Sequence, residues 1–403
     1  MYDAIIVGAR CAGSPTAMLL ARKGYRVLLV DKATFPSDTV STHIIWPPGV
    51  ARLHRWGVLD KIIFSNCPRV ERVSFDLGPF ALSGMPSASG NGAIYAPRRS
   101  VLDRILVEAA AEAGAELRQG FAVQEIVSDD GRVLGIRGRT RLGSGVTERA
   151  QIVIGADGVN STVARAVGAL EYQTRPALAC WYYTYWSGVE TGGLEYYVRD
   201  GRAFGCIPTN DGLVCVPVAW PAADFRRLRA GVEAGYRQTL ELGPGLAERV
   251  RAGRREERFV GMASPRNFLR KPFGPGWALV GDAGYHKDPI TAQGISDAFR
   301  DAERLTGALD EGLSGRRPLA DALAEYEAER NRVVSAMYDF TCDLARLAPP
   351  GAEFSQLFAG LRFDQAETNR FFGTLAGTVS IPEFFAPENI QRIVLRAGSR
   401  DRA

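Results

Sequence analysis

The sequence predicts an α/β protein: a parallel sheet of the nucleotide-binding kind, an antiparallel sheet inserted into it, and a helical C-terminal region. Three observations carry this. Residues 2–31 read as strand, glycine turn, helix and strand; residues 171–261 change to short aromatic and β-branched runs between Gly and Asp turns; and residues 319–396 return to helical spacing.

Tyr2 to Val7 is an apolar run of strand length, and Ser14 to Arg22 has the spacing of a helix. Between them stands Gly8-Ala9-Arg10-Cys11-Ala12-Gly13. Gly8 permits a sharp turn, Gly13 lets the helix pack close to the strand, and the helix N-terminus offers free N–H groups to a pyrophosphate. Tyr25 to Val30 reads as a second strand ending on Asp31, where an acid is expected to bind ribose hydroxyls. Arg10 replaces the middle glycine of this Rossmann-like fingerprint, and is either a phosphate ligand or a solvated turn arginine. Gly8, Cys11, Ala12 and Gly13 of this turn count as cofactor-binding residues, and the Cys11 thiol reads as a small buried filler rather than a covalent cofactor anchor.

A loop rich in Ser, Thr, Asp and Pro covers 32–46, and helical spacing resumes at Pro47 to Trp56, whose two prolines suit a first turn. Val70 to Leu77 and Phe80 to Leu82 read as strands, and Ser100 to Ala113 as a helix. Residues 121–149 read as three short strands divided by Asp129-Asp130-Gly131 and Gly143-Ser144-Gly145. Leu178 to Ser187, Gly193 to Val198, Ala203 to Pro208 and Leu213 to Trp220 form the inserted sheet, completed by a helix near Asp224 to Leu242 and a strand near Glu256 to Gly261. Leu279 to Val280 is the last strand of the nucleotide sheet, 292–312 is its following helix, and Leu319 to Leu347 is helical.

The 403 residues are 46% hydrophobic and 23% charged, with a net charge of +4 reached without any Lys/Arg run, which does not argue for a nucleic-acid partner. No apolar stretch is long enough for a membrane span and no leader precedes the first strand, so a soluble, cytoplasmic protein is expected, a monomer or a homodimer. Six cysteines without a CxxC pair and three histidines make a disulfide scaffold or a metal site unexpected.

Two further motifs decide the reading. Trp277-Ala-Leu-Val-Gly-Asp-Ala-Gly-Tyr-His-Lys-Asp-Pro-Ile-Thr-Ala-Gln-Gly-Ile resembles the GD motif of the flavoprotein monooxygenase superfamily, which includes aromatic hydroxylases and, more distantly, geranylgeranyl reductases and flavin halogenases. Ile152-Val-Ile-Gly-Ala-Asp-Gly resembles the GADG motif of the same superfamily. The resemblance implies FAD, with Gly281 and Asp282 at the ribityl chain and Pro289, Gln293, Gly294 and Ile295 beside the isoalloxazine. It implies that Asp157 and Gly158 contact FAD and that Arg99, or Arg98, reaches its phosphates. Lys32, Thr42, His43 and Val123 complete the cofactor set, His43 being either a phosphate or substrate donor or a turn histidine. A helix beginning at Gly294 would point its N-terminus at the flavin, where partial positive charge stabilises the reduced ring. The resemblance divides the chain into an FAD-binding domain (1–69, 96–170 and 266–318), a substrate-binding sheet domain (70–95 and 171–265) and a helical region (319–403).

Trp181, Tyr183 and Tyr185 alternate on one face of their strand, and Tyr182, Thr184 and Trp186 on the other. One face packs on the core and the other lines a cavity; the pattern alone leaves open which. Phe204-Gly205-Cys206-Ile207-Pro208 occupies the place where the superfamily puts a strand facing the substrate, so Phe204, Cys206 and Pro208 join Trp46, Trp181, Tyr183 and Tyr185 as the expected substrate contacts. Tyr285, His286 and Pro289 are the candidate catalytic residues, with Asp288 a further proton-transfer candidate. The resemblance implies a monooxygenase in which NADPH or NADH reduces FAD and O2 adds at flavin C4a. A C4a-hydroperoxide would then hydroxylate or epoxidise an aromatic or polyketide-like small molecule. The alternative is a flavin-dependent reductase of prenyl-type double bonds.

Overall fold

The computed structural model describes residues 1–86, 92–140, 143, 145–263 and 266–400, the last four of these by backbone alone. Ser144, part of the second expected meander turn, lies outside the described residues, as does 87–91 of the expected substrate-binding domain.

The central sheet runs in the order Phe273–Gly274, Trp277–Leu279, Gly145–Gly155, Tyr2–Val7, Val27–Asp31, Glu116–Gln119. Along this order every pairing is parallel except the first. Val27–Asp31 is buried at every position, as a strand covered on both faces requires. Helices Gly13–Arg22, Arg99–Glu112 and Gly294–Leu313 pack on one face, sharing a core of Ile6, Leu20, Leu102, Leu106 and Phe299. The strands Ala122–Asp129 and Arg132–Arg139 cover the other face, through Phe121, Val133, Ile136 and Trp277.

The third meander strand and the strand of the GADG motif are one element. Residues 145–149 of Gly145–Gly155 pair antiparallel with 135–139, and its other half pairs parallel with Tyr2–Val7. The alternating half serves the half-exposed meander, and the continuous apolar half, Ile152 to Ile154, enters the buried sheet.

The inserted sheet runs Arg254–Arg255, Ala179–Ser187, Val214–Pro221, Arg202–Pro208, Leu194–Arg199, Val73–Asp76, Ala81–Gly84, and Val260–Ala263 also pairs with Ala179–Ser187. It is antiparallel throughout except where Leu194–Arg199 meets Val73–Asp76, a strand contributed from the N-terminal part of the chain. The single helix expected over 224–242 is broken: Phe225–Arg229 and Val232–Leu240 are separated by Gly231, whose backbone is not helical, and Pro244 opens a further helix to Ala252.

A third sheet, absent from the sequence reading, joins Glu171–Arg175, Asn267–Arg270 and Tyr285–His286. Helix Leu319–Leu344 packs along Gly294–Leu313, and four shorter helices, Ala352–Leu361, Gln365–Ala376, Ile381–Phe384 and Pro387–Arg400, follow. Phe358, Phe371, Phe372 and Phe384 join Phe75 of the inserted sheet in one aromatic core. Among the described residues no helix is long and apolar enough to cross a membrane.

Candidate active site

A cleft of about 610 Å³ runs from the first glycine turn, past the Gly281-Asp282 loop, to the inserted sheet. At its nucleotide end Gly8, Arg10, Cys11 and Ala12 face the cleft together with Asp31, Lys32 and Thr42. Gly8 has φ +104°, and a Cβ there would lie 2.4 Å from the Ala156 carbonyl oxygen. Gly13 stands behind the turn: a Cβ would lie 1.7 Å from Gly8 O, so this is the glycine of close packing. Asp31 accepts the Ala9 N–H at 2.7 Å and the Ala33 N–H at 2.8 Å, which fixes the carboxylate at the cleft wall with lone pairs left for ribose hydroxyls.

Arg10 is a built part of the site. Its guanidinium lies 2.5 Å from Asp103 and donates to Ser37 Oγ at 2.9 Å. Arg99 holds the same carboxylate at 2.9 and 3.0 Å. Asp103 is fully buried, so two guanidinium charges meet one carboxylate beside the glycine turn and leave a surplus positive charge for a pyrophosphate. Of the two candidate arginines, Arg99 lines the cleft. Arg98 bonds Glu257 at 2.5 Å and Asp38 at 3.4 Å and stacks 4.3 Å over the Tyr185 ring, tying the 32–46 loop to the inserted sheet.

Val123, Asp157 and Gly158 also line the cleft. Asp157 accepts from Ser161 Oγ and from the Thr162 N–H, capping the short helix Thr162–Ala166, and burial pushes its carboxyl up despite these bonds. Gly281 and Asp282 line the cleft too, Gly281 close against Ala12 of the first glycine turn, and the Asp282 side chain is 48% exposed, open to a ligand.

His43 is buried, at φ +64°, and does not line the cleft. Its Nε2 lies 2.8 Å from the Tyr185 hydroxyl. Burial, with the Arg99 and Arg98 charges adding to it, pushes the imidazole down to about 3, so it is neutral. Thus His43 is a neutral partner of Tyr185, and neighbouring Thr42 takes the place facing the cofactor end.

The loop after Asp282 is locked by the third sheet, where Leu269 pairs with Tyr285 and Phe268 with His286. Tyr285 is 3% exposed; its hydroxyl accepts from Arg300 at 2.8 Å, and burial raises its phenol far above the ordinary range. It lines the cleft, with its hydroxyl held by Arg300. His286 Nδ1 lies 3.5 Å from Asp282 Oδ2, while its buried Nε2 has no hydrogen-bond partner among the described residues and the residue lines the cleft. Pro289, Gly294 and Ile295 line the cleft where the helix Gly294–Leu313 begins. Gln293 faces away, its amide donating to the Leu375 carbonyl. Trp46 is likewise a support: its Nε1 donates to Thr291 O at 3.1 Å and it does not line the cleft.

The register of the inserted sheet resolves which face is the cavity face. Trp181 and Tyr183 line the cleft; Tyr182 and Trp186 belong to the core behind the sheet, Tyr182 against Trp220 and Phe225 and Trp186 donating to the Tyr236 hydroxyl. Tyr185, on the cavity side, is 1% exposed and closed off by His43 and Arg98. Phe204 and Cys206 are corrected by the same alternation: both belong to the core behind the sheet, Phe204 stacking on Tyr197 at 4.8 Å. Ile207 between them and Pro208 faces the cleft, and Pro208 does not. Cys215, Pro217 and Met262 complete the wall. The period-2 rule could have found Ile207 once the face of Trp181 was known.

The glycine cradle, the surplus cation and the open Asp282 fit the pyrophosphate and ribityl parts of FAD, and define the class: an FAD-dependent oxidoreductase. Residues 1–237 match the FAD binding domain family, and the chain belongs to it. It is 28% identical, over 84% of its length and 85% of the relative's, to a digeranylgeranylglycerophospholipid reductase of Methanocella arvoryzae. Among solved structures, PqsL of Pseudomonas aeruginosa in complex with 2-aminobenzoylacetate superposes with a TM-score of 0.74 at 25% identity, covering 85% of this chain and 95% of PqsL. The myxobacterial chondrochloren halogenase CndH shares the fold, with a TM-score of 0.80 at 20% identity over 98% of this chain and 96% of CndH.

Proposed function

We propose that this protein is an NAD(P)H-dependent FAD monooxygenase that hydroxylates or epoxidises a compact aromatic or polyketide-like molecule. FAD supplies the redox chemistry, accepting electrons from the nicotinamide and activating O2. The observation that carries the reading is the short wall of Trp181, Tyr183, Ile207, Cys215, Pro217 and Met262 at the end of the same cleft, beside Pro289. Six apolar or aromatic side chains exclude water from a reacting centre and offer flat surfaces to an aromatic ring. On this reading 70–95 and 171–265 act as the substrate-binding domain, 1–69, 96–170 and 266–318 as the FAD-binding domain, and 319–403 as the C-terminal region.

The chain's own residues divide the work. Gly8 to Ala12, Arg10 and Arg99 hold the pyrophosphate, Asp31 and Lys32 the adenosine side, and Asp282 the ribityl chain. His286 lines the cleft, with Nδ1 3.5 Å from Asp282 and a buried Nε2 that has no hydrogen-bond partner among the described residues, and it is our candidate to hold or move a proton. The test is turnover of a panel of phenols, indoles and quinones under 18O2, with NADPH or NADH. One labelled oxygen per product, with matched NAD(P)H and O2 consumption, supports the proposal.

One observation favours a second reading, a reductase of prenyl-type double bonds: the Methanocella reductase aligns over most of both chains. Saturation of a prenyl substrate at the expense of reduced FAD, without oxygen uptake by the phenol, indole and quinone panel, would replace the first reading with this one.

A further inference from the structure

Lys287 and Asp297 form a buried ion pair that the proposed function leaves without a task. Lys287 lies two residues before Pro289 and Asp297 two after Ile295, so the pair brackets the stretch that the GD motif puts beside the flavin. Both residues line the cleft, and they are 8% and 6% exposed. Lys287 Nζ meets one Asp297 oxygen, and Arg300 donates to the other at 2.6 Å. Arg300 in turn holds the Tyr285 hydroxyl at 2.8 Å and Asp301 at 3.0 Å.

Removing an ammonium and a carboxylate from water costs several kcal/mol per ion, roughly, so a pair kept only to hold the loop would be an expensive fastening. The loop is already fastened. Strand pairing fixes Tyr285 and His286, the Asp288 N–H donates to Asn267 Oδ1 at 2.6 Å, and the Trp46 indole holds Thr291 O. Asp297 also stands in the first turn of Gly294–Leu313, where its negative charge offsets the positive end of the helix. Lys287 restores positive charge at that place, on the cleft side of the helix start.

We propose that Lys287 is a fixed positive charge that stabilises the negative charge FAD carries when reduced, with Asp297 and Arg300 positioning its ammonium. The inference rests on FAD occupying this cleft and holds for an oxygenase and a reductase alike.

The experiment is the midpoint potential of bound FAD, measured by equilibration with reference dyes, in wild type, Lys287→Met, Lys287→Arg and Asp297→Asn. Lys287→Met should shift the potential negative by about tenfold in the reduction equilibrium, roughly 30 mV for two electrons. Asp297→Asn should shift it positive, and Lys287→Arg should stay near wild type. Opposite signs separate this role from a structural one, since loosening the loop would move both variants the same way. Equal potentials in all four proteins, or shifts of one sign for Lys287→Met and Asp297→Asn, would overturn the proposal. If Lys287→Met does not fold, the sign of Asp297→Asn decides. A wild-type protein that binds no FAD would overturn the cofactor assignment itself, a failure distinct from either.

Discussion

The Arg10 guanidinium lies 2.5 Å from the Asp103 carboxylate, although the two residues belong to a glycine turn and a helix 93 positions apart. Because Arg99 grips the same buried carboxylate, the two ends of this arrangement should respond differently to mutation. Asp103→Asn strands two cations, one of them buried, and should cost about 3–5 kcal/mol of stability, visible as a lowered Tm in FAD-free protein. Arg10→Ala leaves Asp103 paired with Arg99, so the FAD-free Tm should hold while FAD affinity falls about tenfold, the scale of a charge-assisted bond.

The open Asp282 and the closed Gly13 give a second contrast. Asp282→Ala removes a half-exposed side chain and should yield a folded protein that loses FAD on gel filtration. Gly13→Val puts a Cβ 1.7 Å from Gly8 O and should prevent the soluble, yellow protein from forming at all. A folded, FAD-replete Gly13→Val would contradict the close packing of helix on strand.

Opposite faces of one strand supply the third. Phe204→Ala, in the core behind the sheet, should destabilise by about 3–5 kcal/mol and leave KM for the substrate unchanged. Ile207→Trp fills the cleft and should raise KM at least tenfold with FAD content intact. Urea unfolding and steady-state kinetics on the two variants check both halves.

A pH effect follows from His43. Its folded form stays neutral down to about pH 3, whereas the unfolded chain takes up this proton below the ordinary value of 6.5. The unfolded state therefore binds more protons between those limits, and the His43 contribution, fully present above pH 6.5, is lost as pH falls toward 3. The slope should be about 1.4 kcal/mol per pH unit in that window. His43→Gln should flatten it in denaturant titrations run from pH 6.5 to 4.5.

Much of this was legible in the sequence where local chemistry is decisive. Tyr2–Val7 has the bounds that its apolar run implies, Gly8 and Gly13 stand where a turn and a close contact require them, and the expected helix begins at Gly294. What the sequence hides are features set by distant partners. Tyr285 and His286 are too few to show a strand period, and become one only against Leu269 and Phe268. Both faces of Ala179–Ser187 carry aromatics, Trp181, Tyr183 and Tyr185 on one and Tyr182 and Trp186 on the other, so only the core that Tyr182 shares with Tyr236 and Leu246 tells it from Trp181. Arg98 and Arg99 are adjacent and chemically identical; the fully buried Asp103, one helical turn on, selects Arg99 for the cleft.

Mass spectrometry of product formed under 18O2 decides whether the cleft directs oxygen from O2 into a compact substrate beside Pro289. One 18O atom per product molecule, formed in step with NAD(P)H oxidation, is the expected result. Turnover that saturates a double bond and leaves the product unlabelled would contradict it.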